Sequence, residues 1–176
     1  MRLVAALDAL SETTGRAVAW LTLAMVLITF SIVVLRYAFN IGWIAMQESV
    51  TFLHATVFLL GAAYTLKHEG HVRVDIFYRE MSPRARATVN LLGTLLLLMP
   101  VSVFILWTSW EYVLDSWSLR EGSREAGGLP GVFVLKTTIP VMAVLLMLQG
   151  TAQALHAVMI LAGIETGERE SMETDI

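Results

Sequence analysis

The residues of this 176-residue chain whose types could do chemistry are few, and most lie close to long uncharged runs. Arg36 and Glu48 flank a short turn, Asn40-Ile-Gly42, at similar distances from it. In two antiparallel helices they reach similar depth, where an ionisable side chain pairs or extends to the headgroups because burying it in lipid is costly. The expectation is that Arg36 faces Glu48, or that each meets a charge on a partner chain. His54 and His156 lie inside uncharged runs, and two imidazoles are the usual axial ligands of a haem. Their depths disagree by roughly 15 Å at ~1.5 Å per helical residue, too far for one iron, so a structural role is expected of each. Gln149, Gln153 and His156 fall at i, i+4 and i+7, a polar stripe of the kind that joins membrane helices. His68, His71, Arg73 and Asp75 are spaced too irregularly for a metal site. No Ser-His-Asp arrangement, phosphate loop or HExxH is present, so neither catalysis nor a cofactor or metal is expected of this chain.

The elements that must position these residues are dictated by composition. The chain is 56% hydrophobic and 15% charged, with mean hydropathy +0.68. Soluble domains carry about 25% charged residues, so lipid is the expected solvent. There is no cysteine, the net charge is −3, and no basic patch suggests a nucleic-acid partner. The first apolar run opens only at Ala17 and is too long for the core of a signal peptide.

Residues 49–66 carry no Asp, Glu, Lys or Arg and reach about 27 Å as a helix, close to the roughly 30 Å of a bilayer core. Arg16 and Arg36 bracket another such run, and Arg86 and Glu111 a third with Pro100 near its middle. A fourth follows Lys136 and runs from Thr137 to Ile164, with Pro140 near its start. The fold expected is an all-α integral membrane protein with four transmembrane helices at about 17–39, 44–66, 85–110 and 133–163. Ser82-Pro83 reads as an N-cap with proline at the first helical position. Gly61-Ala-Ala63 would let another helix approach closely. Leu3, Leu7 and Leu10 at helical spacing suggest that residues 1–15 form a separate amphipathic helix in the headgroup region. Residues 165–176 read as an acidic, disordered tail.

Orientation follows from the basic residues. The side holding the termini and the 67–86 loop collects Arg2, Arg16, Lys67, Arg73, Arg79, Arg84, Arg86 and Arg169. The other side has Arg120 and Arg124, with Arg36 and Lys136 near the interface. The positive-inside rule puts both termini of this multi-pass chain, with the 67–86 loop, in the cytoplasm.

The order of motifs adds a resemblance. Arg36-Tyr37, then Trp43, Gln47-Glu48, the segment Gly70-His71-Val72-Arg73-Val74-Asp75, Gly122-Ser123, Leu129-Pro130 and Ile139-Pro140 resemble the small membrane subunit of tripartite ATP-independent periplasmic (TRAP) transporters. The likeness covers about residues 16–160. Family members often carry two acidic residues after the tryptophan, and here Gln47 leaves Glu48 alone for that role. The resemblance implies a non-catalytic scaffold joined to a large membrane subunit that carries the substrate and sodium sites, with a periplasmic binding protein delivering an organic acid. It marks Arg36, Trp43, Glu48, His71, Arg73, Asp75, Pro130 and Pro140 as structural or subunit-contact candidates. A haem- or quinone-binding anchor of a redox complex is the alternative.

Overall fold

A computed structural model describes residues 2–71, 78 and 80–164. The described residues form four long helices and no strand, each long and apolar enough to cross a membrane. They are α1 (Arg2–Ala38), α2 (Ile44–Lys67), α3 (Pro83–Ser118) and α4 (Val132–Leu161). Arg73, Asp75 and the 165–176 tail lie outside the described residues.

Each helix starts or stops where local chemistry dictates. Ser82 caps α3, its Oγ accepting from the Ala85 N–H at 3.3 Å with Pro83 at the first turn. At the end of α1 Asn40 turns left-handed with φ 57°, a conformation asparagine tolerates better than most. The other three helices close with a left-handed residue at Glu69, Arg120 and Gly163. Each is followed by an amide bonded five residues back: Gly70 to Thr65, Glu121 to Ser116, and Ile164 to Met159, at 2.9–3.0 Å. Pro100 lacks the N–H that would bond the carbonyl of Leu96. The chain takes up the mismatch as one wider π turn, Thr94–Leu98, in which the Met99 N–H reaches Thr94 O. Pro140 is buried inside α4, and the helix runs through it.

α4 is the hub and packs against α1, α2 and both halves of α3, while α1 packs chiefly on α2. The interior is rich in small residues: Ser11, Ala63, Ala87, Ser102, Ser116, Ala143, Ala152 and Ala157 are all buried, beside a few larger ones such as Val4, Val113 and Leu145. Small side chains let backbones approach closely, which is how helices gain packing energy where lipid removes the hydrophobic drive. Gly15 is the extreme case, since a Cβ there would overlap the Tyr64 ring. In the Gly61-Ala-Ala63 segment Ala63 is the packed residue, and a Cβ at Gly61 would meet nothing within 4 Å. The outside is broadly apolar: Trp20, Phe30, Leu96 and Phe104 are exposed, and Trp107 is 80% exposed. Such a surface suits hydrocarbon rather than water.

One boundary differs from the sequence-based expectation. Residues 2–15 are the opening turns of α1 and continue unbroken into the first apolar run, instead of forming a helix of their own. The reason is polar: Asp8, Ser11 and Glu12 all find partners on α2 and α4, which holds this end of α1 on the bundle.

Candidate functional site

Two polar constellations stand at opposite ends of the bundle. At the end where α1 gives way to α2, Glu48 lies one turn into α2 and reaches across to the loop before α4. One carboxylate oxygen accepts from the Ser123 hydroxyl, and the other from the Leu129 N–H at 2.7 Å. The Ser123 N–H closes the loop on itself by donating to Leu129 O at 2.9 Å. Gly128 passes between these groups, where a Cβ would lie 2.6 Å from Glu48 Oε2 and overlap Ser123. Glycine is required here for space.

Beside this clamp, Glu121 accepts from Lys136 and, at 2.7 Å, from the Ser116 hydroxyl. The Lys136 ammonium also sits 3.9 Å over the centre of the Tyr112 ring. The Lys136 hydrogen bond, helped by Ser116, holds the Glu121 carboxyl below the usual glutamate range. Trp117 Nε1 donates to the Thr137 hydroxyl at 2.8 Å, and its ring meets Phe133 edge-on. Loop 119–131 is thereby tied to α2, α3 and α4 at once.

At the other end the knot is built on α1. Glu12 bonds Lys67 at 2.7 Å, His68 at 2.9 Å and Arg16 at 2.9 Å. Buried Gln149 accepts from the Ser11 hydroxyl at 2.6 Å and donates to Asp8 at 3.0 Å. His156 meets the other Asp8 oxygen at 3.2 Å. The Thr94 hydroxyl points at Gln153 Oε1 from 3.5 Å. The Gln149-Gln153-His156 stripe therefore contacts α1 and α3 side chains along its length, as helix-joining stripes do.

The sequence-derived candidates fall out unevenly. Glu48 meets Ser123 and Leu129, so the direct Arg36–Glu48 pair does not form: the loop supplies donors nearer than the guanidinium. Arg36 is exposed and has no ion pair among the described residues. Trp43 is exposed at the N-cap of α2 without a capping bond. His71 and Pro130 are exposed, whereas Pro140 is buried in α4. His54 is exposed on α2, while His156 is engaged with Asp8. The sequence names Ser123 only within the Gly122-Ser123 motif and gives no partner to it, nor to Asp8, Glu12, Gly128 or Glu121. The recurring small and acidic residues of 121–129 were the available signal, but contacts 75 and 81 residues apart leave no local periodicity. Among the described residues no group of three His, Cys, Asp or Glu could hold a metal ion.

The clamp joins Glu48 to Ser123 and Leu129, residues scattered over the chain and brought together only by the fold. A family model described as the DctQ component of tripartite ATP-independent periplasmic transporters matches residues 25–159. The chain belongs to this family. That stretch contains Glu48, Ser123, Leu129 and every other clamp residue. A relative from Vibrio cholerae serotype O1, named as a C4-dicarboxylate TRAP transporter small permease protein DctQ, is 33% identical over 89 residues. The match takes in 51% of this chain and 38% of that protein, so the chain spans well under half of the relative's length. No solved structure matches. As a DctQ component, the chain is a multi-pass membrane part of a transporter.

Proposed function

We propose that this chain is the non-catalytic small permease subunit of a TRAP transporter and scaffolds the large membrane subunit. On this reading the large subunit takes up an organic acid with sodium, a periplasmic binding protein delivers it, and both termini face the cytoplasm. The observation that carries it is where the charges are spent. Glu48, Glu121 and Lys136 at one end, and Asp8, Glu12 and Lys67 at the other, all tie one element to another. Side chains committed in this way stiffen a bundle and are unavailable to bind cargo. The Vibrio relative is named for C4-dicarboxylate, and carboxylates are therefore the first cargo class to try.

Reconstitution tests this. The chain is purified with and without the large subunit, and uptake of labelled organic acids into proteoliposomes is followed with the binding protein and a sodium gradient present. Uptake should require all three proteins, and this chain should retain the large subunit in mild detergent. Uptake by this chain alone, or undiminished uptake in its absence, would overturn the scaffold.

A further inference from the structure

Between Ala45 and Lys67 most of α2 is half-buried, with Ala63 fully buried. Only Gln47, Thr51, His54 and Phe58 are exposed, a stripe one residue wide with spacing 4, 3, 4. That is the alternation of a seam between two helices crossing at about 20°, the left-handed geometry usual in membrane bundles. From Gln47 to Phe58 it advances eleven residue steps, or roughly 16 Å at ~1.5 Å per residue, about half the bilayer.

The chemistry of the stripe is at odds with a lipid neighbour. Elsewhere the exposed faces are chiefly apolar, as at Leu23, Val26, Leu27 and Phe30 of α1, broken by the small hydroxyls of Thr22 and Thr29, and at Leu95, Leu96, Val103 and Phe104 of α3. Among the described residues no other exposed mid-span stretch carries an amide or an imidazole. Here three of four positions are polar. Hydroxyls that lack a partner on another helix usually turn back onto their own backbone, as Ser49, Thr56 and Thr65 do on this same helix. Among the described residues Gln47, Thr51 and His54 make no side-chain hydrogen bond of any kind. His54 lies ten residues into α2, about 15 Å from its start, where water cannot substitute.

We infer that Gln47, Thr51, His54 and Phe58 form the seam against which one transmembrane helix of the large membrane subunit docks, through hydrogen-bonding side chains facing the first three and an apolar one facing Phe58. This rests on the proposal that the large subunit is the partner. A second copy of this chain is the poorer occupant. Two-fold pairing would set each seam residue against its own image and leave exposed Arg36, level with the outer end of α2, without a counter-charge. The carboxylate nearest that level, Glu48, is held by Ser123 and Leu129. A partner helix bringing a free acidic side chain supplies what a copy lacks.

The test uses the assembled transporter in native membranes, with a photo-crosslinking residue in place of Thr51 or Phe58. Both positions should give an adduct with the large subunit, mapping to a single one of its helices. Adducts only with lipid or with a second copy would overturn the inference, as would no adduct from either position. In parallel, the combined variant Q47L/T51V/H54L should keep the melting temperature of the isolated chain yet retain the large subunit about tenfold less well, since each interhelical bond in a membrane contributes modestly. Undiminished retention would count against the seam. Should the parental chain itself fail to retain a large subunit, the scaffold function fails, and the cross-links in intact membranes still show which molecule occupies the seam.

Discussion

Glu48 shows how one carboxylate can set the position of a whole loop. Each oxygen has a separate donor, the Ser123 hydroxyl and the Leu129 amide, so truncation leaves two donors unanswered. E48Q keeps one acceptor oxygen but turns an NH2 towards a donor, and E48A keeps neither. Thermal melting of the purified protein should follow the order parent, E48Q, E48A, and protease cutting within 119–131 should rise in the same order. Equal melting of all three would mean that the loop is held without the clamp. Glu121 adds a pH dependence of defined sign. Its carboxyl titrates below the ordinary glutamate range because Lys136 and Ser116 bond the charged form. That contribution is complete above the unfolded value, roughly 4.3, and is lost as pH falls through the lower folded value. Protease resistance of the loop should therefore collapse at acid pH in the parent, and E121Q should be weaker throughout with a flatter profile. The acidic character of Glu48 and its place near the turn were legible in the sequence, but its partners were not. Arg36 was the nearest opposite charge along the chain, whereas the donors that win come from a loop more than seventy residues away.

At the scale of elements, four uncharged runs were enough to find four helices, because lipid permits little else that satisfies the backbone internally. What periodicity missed was length and contact. Leu3, Leu7 and Leu10 mark an amphipathic helix, and Leu3 and Leu10 are indeed exposed. An adjoining face carries Ser11 and Gly15, both buried, and it binds the segment to α2 and α4 as part of α1. Small residues are the weakest signal in a hydropathy profile and the strongest determinant of packing here. Gly15 and Gly61 separate the two cases, one lying under the Tyr64 ring and the other in open space. G15A should destabilise the bundle by about 1–3 kcal/mol, the usual cost of overfilling a packed site, whereas G61A should be neutral or slightly stabilising. Thermal melts of the two variants in one detergent check the contrast. Equal effects would mean that α1 and α2 do not meet at Gly15.

For the whole molecule, orientation is the property that sequence addresses and contacts alone do not. By their order in the sequence, eight basic residues belong to the side of the termini and the 67–86 loop, and four to the side with Glu48 and Lys136. Glu12 bonds Arg16 and Lys67, and its carboxylate offsets part of their charge in the folded state. That offset does not weaken the bias, because lysine and arginine near the spans direct insertion and acidic residues contribute little to it. Helix packing is completed after the spans are in place, so the knot at Glu12 forms on an orientation already chosen. The chain has no cysteine, which makes single introduced thiols unambiguous reporters. Glu80 and Glu125 are exposed on opposite ends of the bundle. In intact cells with a permeabilised outer membrane, a membrane-impermeant maleimide should label E125C and leave E80C unlabelled until the inner membrane is disrupted. The reverse pattern would invert the molecule. The Glu48 clamp would then face the cytoplasm, away from any periplasmic binding protein, and loop 119–131 could play no part in receiving one.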